Sequence, residues 1–74
     1  MYGLALLLLS FTGAHYDKLG VGDSLQLAED LLGPATALHY ESGDERCLIW
    51  ECGAVVVTVT FYQGRVVDKW QVGL

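Results

Sequence analysis

The segment Ala54–Tyr62 (AVVVTVTFY), followed by Gln63-Gly64 and then Arg65–Val72, constrains this chain more than any other feature. Its β-branched and aromatic residues favour a pleated strand, and a two-residue turn ending in glycine favours an antiparallel return. Successive side chains of a strand point to opposite faces. Val55, Val57, Val59 and Phe61 therefore share one face, and Val56, Thr58, Thr60 and Tyr62 share the other. The first set is the more apolar and should meet the core.

Two further strands fit upstream. Thr36–Glu41 alternates in polarity, Ser42-Gly43-Asp44-Glu45 is a turn by composition, and Arg46–Glu51 is the next strand, closed by Cys52-Gly53. With two-residue turns at Cys52-Gly53 and Gln63-Gly64, Trp50 pairs with Val55 and Phe61 with Val66. Leu48, Trp50, Asp68, Trp70 and Val72 then join the core face. Asp68 is the awkward member, because an unpaired buried carboxylate costs several kcal/mol. The opposite face receives Cys47, Ile49, Val56, Thr58, Thr60, Tyr62, Val67, Lys69 and Gln71.

Ahead of the strands, Asp23 or Ser24 can cap a helix running to Leu32. Leu25, Ala28, Leu31 and Leu32 fall at helical spacing, and Gly33-Pro34 is a strong stop. The expected fold class is therefore α+β, with N-terminal helical segments packed on one face of a four-stranded antiparallel sheet. Seventy-four residues make at most one domain, and a chain this short buries only about 60% of its unfolded surface. Yet 53% of the residues are hydrophobic and 18% charged, so apolar surface remains for a partner, a second copy or a processing event.

The organisation divides into an apolar segment, 1–15, and a helix-plus-sheet domain, 16–74. Leu4–Leu9 (LALLLL) is too short to span a bilayer, which takes about 20 apolar residues, so no stable membrane span is expected. Two readings of the segment stand. Its length and the following Thr12-Gly13-Ala14 suit a secretory signal, although no basic residue precedes Lys18. Its Leu-rich makeup equally suits a helix buried on the sheet.

Nine acids against four bases give a formal charge of −5, and Lys18, Arg46, Arg65 and Lys69 are scattered. Nucleic-acid binding draws on clustered Lys and Arg and is not expected. Catalytic and metal-binding residues are not expected either. His39 with a cysteine is the nearest approach to a catalytic dyad, and no third member accompanies it. The acids match no calcium loop, Cys47-x₄-Cys52 alone makes no zinc site, and no cofactor motif is present. Along one extended strand those cysteines would lie about 16 Å apart, so a bridge between them requires the strand to end between them, and two unpaired thiols are the expected reading.

Tyr16-Asp17-Lys18-Leu19, Gly22-x-Ser24, a helix ending in Leu31-Leu32-Gly33, and the run from Gln63 to Leu74 (QGRVVDKWQVGL) form an order with a parallel elsewhere. It resembles small bacterial envelope proteins of the β-lactamase-inhibitor-like fold and the SmpA/OmlA-type envelope-assembly lipoproteins. Trp50, Val59, Phe61, Gly64, Val66, Lys69 and Gln71 also carry the likeness, which covers residues 16–74. Asp23 and Leu27 depart from the family pattern, and no cysteine precedes residue 16, so lipid anchoring is not implied. The resemblance implies helices on one sheet face and an open face that grips another protein, in the bacterial envelope, the periplasm or outside the cell; a cytoplasmic location is the alternative. Inhibition of a β-lactamase is not implied, since those inhibitors carry two such units.

The expected function is thus non-enzymatic protein binding through Ile49, Val56, Thr58, Thr60, Tyr62, Val67, Lys69 and Gln71. A self-associating, homodimeric domain is the alternative.

Overall fold

The computed structural model describes residues 13–74. Helices α1 (Gly13–Lys18) and α2 (Leu25–Leu32) precede strands β1 (Ala37–Ser42), β2 (Glu45–Cys52), β3 (Val55–Tyr62) and β4 (Arg65–Val72). The strands form one antiparallel sheet in the order β1-β2-β3-β4, and the fold is α+β. The apolar segment ahead of Gly13 lies outside the described residues. Tyr16–Lys18 belong to helix α1.

Helix α2 starts where a polar oxygen can take up a free amide. Leu27 N–H donates to Ser24 Oγ at 3.1 Å. The helix ends at Gly33, whose φ of 83° lies in the left-handed region that favours glycine and whose N–H donates to Glu29 O at 2.8 Å. Trp50 Nε1 donates to Gly33 O at 2.7 Å, fixing the end of α2 to the centre of β2.

The core follows from these placements. Leu19, Ala28 and Leu32 pack from the helical side against Trp50, Val57, Val59, Phe61 and Val66 of the sheet. Val57, Val59 and Phe61 lie under the helices as their parity requires, and Val55 packs at the margin.

The β2–β3 turn is Gly53-Ala54 rather than Cys52-Gly53, so Trp50 pairs with Val57 and not Val55. The offset is two residues, which preserves the face of every side chain. Gln63 and Gly64 have φ of 51° and 78°, the paired positive values of a two-residue turn that matches strand twist.

Both edge strands depart from regular pairing. On β4, Phe61 pairs with Val66 but Thr60 pairs with Asp68, leaving Val67 as the extra residue of a β-bulge. On β1, Leu38 pairs with Leu48 but Tyr40 pairs with Cys47, leaving His39 as the extra residue. Each bulge exchanges the two faces for the residues beyond it.

The start of β4 is also sealed along its outer side. Gly22 N–H donates to Val66 O at 2.8 Å, Val66 N–H to Asp23 O at 2.8 Å, and Leu25 N–H to Gly64 O at 3.1 Å. Strand β1 is the other edge of the sheet, and all six of its residues are exposed.

Candidate binding face

The face of the sheet away from the helices is built in rows across the strands. One row runs Tyr40, Cys47, Thr60, Asp68; the next runs Ala37, Ile49, Thr58, Trp70. Tyr62 and Arg65 flank them at one end, and Val56 and Val72 at the other. Ile49, Val56, Thr58, Thr60 and Tyr62 therefore occupy the face that alternation assigned to them.

The end of β4 does not follow the simple alternation. Beyond Val67, Lys69 pairs with Val59 and Gln71 with Val57, so both belong to the helix side rather than the open face. Asp68 and Trp70, expected with the core, move to the open face. The physical reason is the bulge, which spares the carboxylate from the core and gives Lys69 a partner there. Lys69 Nζ donates to Tyr16 O at 2.6 Å and stands 3.9 Å from the centre of the Tyr16 ring. Val67, at the bulge itself, is exposed.

The face is uneven. Thr58 and Thr60 are only 6% and 8% exposed and Cys47 is fully buried, whereas Tyr40, Tyr62 and Trp70 are 40%, 48% and 47% exposed. Thr60 Oγ1 donates to Cys47 Sγ at 3.6 Å, which satisfies the central hydroxyl. Tyr40 hydroxyl donates to a Glu45 carboxylate oxygen. That bond, with desolvation and the Glu45 charge behind it, raises the Tyr40 pKa above the ordinary tyrosine value, and a contact with Thr60 partly opposes the rise. Tyr16 is raised too, first by burial and then by the charges of Asp17 and Asp68.

Sequence reasoning missed Tyr40 and Trp70 as members of this face. Asp68 carried a signal for the second of these, because a register that buries a carboxylate invites a bulge. His39 gave no comparable signal.

A depression of about 290 Å³ lies on the helix side, where Leu25 and Phe61 meet the two hairpin turns. Among the described residues that line it, the one cation, Arg46, is held by Glu41 at 2.7 Å, an exposed pair of modest worth. Cys47 and Cys52 lie five residues apart on β2 and face opposite sides, a separation that no disulfide spans. Among the described residues, no helix is long and apolar enough to cross a membrane, and no cluster of three His, Cys, Asp or Glu side chains is placed to hold a metal ion.

No protein-family model, curated protein or solved structure matches this chain.

Proposed function

We propose that the chain is a non-enzymatic protein-binding domain that engages its partner through the open face of the sheet. The observation that carries this reading is the exposure of three aromatic rings on that face. Tyr40 and Trp70 reach it because both edge strands bulge, and Tyr62 stands between them on β3. Solvated sheet faces do not require such rings, and tyrosine and tryptophan are the side chains most enriched at the energetic centres of interfaces. Ile49, Val56, Val67 and Val72 add apolar area. The resemblance to envelope proteins supplies the bacterial envelope or exterior as the compartment, which fractionation of the native host would check.

The test compares capture of proteins from the native host by the unaltered chain, Tyr62→Ala and Trp70→Ala. Both variants should lose the captured protein while their melting temperatures stay near the original, as surface substitutions usually do. Loss of folding in parallel with loss of capture would count against the proposal.

Self-association is the second reading, favoured by β1, whose outer edge and six exposed residues are open to pairing with a copy. Sedimentation at several concentrations separates the two, since a monomer throughout removes this reading.

A further inference from the structure

The structure assigns Tyr40 a conformational role on the open face, as a side-chain lid over the Cys47 thiol, held shut from the solvent side by Glu45. Cys47 belongs to the face away from α1 and α2, where it pairs with Tyr40 on one side and Thr60 on the other. It is nevertheless fully buried, whereas Tyr40 is 40% exposed. The helices lie on the opposite face, so the cover over this thiol comes from side chains of the sheet itself.

The Tyr40 ring is that cover. Its hydroxyl donates to a Glu45 carboxylate oxygen and meets the Thr60 hydroxyl. Strands β1 and β3 are two strand spacings apart, about 9.6 Å, so a phenol on β1 that reaches a side chain on β3 crosses β2. Cys47 is the residue paired with both ends of that crossing. Beneath the ring, Thr60 Oγ1 donates to Cys47 Sγ at 3.6 Å, which closes the niche from the β3 side. The bulge at His39 sets this up. Without it, His39 would stand opposite Cys47, and Tyr40 opposite Arg46 on the helix side.

What holds the lid is weak. The Tyr40–Glu45 bond is exposed, as is every residue of β1, so water competes for both partners. A hydrogen bond of this kind shifts an equilibrium by a factor of about three to ten. Rotating one ring on an edge strand disturbs neither the core under α2 nor the β2–β3 ladder. Whatever draws the ring aside or competes for Glu45 therefore controls access to the thiol while the fold stays in place.

Pulsed alkylation of the full-length, reduced chain with iodoacetamide measures the opening, and cleavage at Glu51 reads Cys47 and Cys52 on separate peptides. At low urea the Cys47 rate should be independent of denaturant, because lid opening exposes little surface. Tyr40→Phe and Glu45→Ala should each raise that rate about three- to tenfold with the melting temperature held, and the double variant should rise no further than either alone. Tyr40→Ala, which removes the ring, should exceed both. A Cys47 rate that climbs with urea from the lowest concentration would place the exposure in unfolding and overturn the lid. Additive effects of Tyr40→Phe and Glu45→Ala would overturn the clamp and the lid with it. A rise matched by faster hydrogen exchange along the β1–β2 ladder would overturn it too, since the strand rather than the ring would then be moving away.

Discussion

Replacing Lys69 with Met tests the bulge on which the assignment of the faces depends. Met keeps most of the aliphatic stem and removes the ammonium. The structure gives that ammonium two partners, the Tyr16 carbonyl at 2.6 Å and the Tyr16 ring at 3.9 Å. A hydrogen bond to a charged group contributes about 1.5–3 kcal/mol, and Lys69 is only partly buried, so screening reduces this to about 1–2 kcal/mol. The cation–ring contact adds about 0.5 kcal/mol at such a site. The expected loss is therefore about 2 kcal/mol, or roughly 8–16 °C in melting temperature for a domain of this size. Urea denaturation followed by far-ultraviolet circular dichroism measures it. Under unbroken alternation Lys69 would face solvent on the open side, and its replacement would change stability by less than about 0.5 kcal/mol. A result in that range would refute the bulged register and return Trp70 to the core. Trp70→Ala is the companion measurement, and on the bulged register it costs little.

Trp50→Phe should destabilise the chain by about 2 kcal/mol, because the indole N–H that serves the Gly33 carbonyl is lost and the smaller ring leaves space in the core. Chemical denaturation checks this, and faster hydrogen exchange at the Gly33 amide should accompany it. The Tyr40 hydroxyl, whose pKa is raised chiefly by its bond to Glu45, should ionise later than an ordinary tyrosine. Since the folded value lies above the unfolded one, the stabilisation is complete below pH about 10 and is lost as pH rises through the folded pKa. Ultraviolet titration of the phenolate band should lose a late component in Tyr40→Phe, and loss of an early one would contradict the assignment.

Much of this architecture is legible in local chemistry. Ser24, Gly33 and Pro34 bound α2 because caps and stops act over one turn of chain. Val57, Val59 and Phe61 fall in the core because strand parity needs no tertiary information. The β2–β3 turn was displaced by one residue, yet an offset of two positions leaves parity intact, so Trp50 stayed in the core. The edge strands were less legible for a different reason. A bulge without glycine has no local signature, and Val67 and His39 are ordinary strand residues. What selects the bulge at Val67 is the balance across the whole sheet between burying Asp68 and giving Lys69 a carbonyl on α1. That balance decides which of Lys69 and Trp70 reaches the open face, so the β2–β3 half of the candidate site was readable and the Tyr40 and Trp70 flanks were not.

The pairing of Gly22–Leu25 with Gly64–Val66 joins positions about forty residues apart, whereas the hairpins link near neighbours. Closing so long a loop is entropically costlier than zipping adjacent strands, so these bonds are expected to form after the hairpins, an order that pulsed hydrogen exchange would check. During synthesis the β3–β4 hairpin must leave the ribosome before the segment leading into α2 can find its place. A chain stopped at Tyr62 would retain the α2 sequence but lose the backbone partners, Gly64 and Val66, that anchor its beginning, so the start of α2 depends on β4.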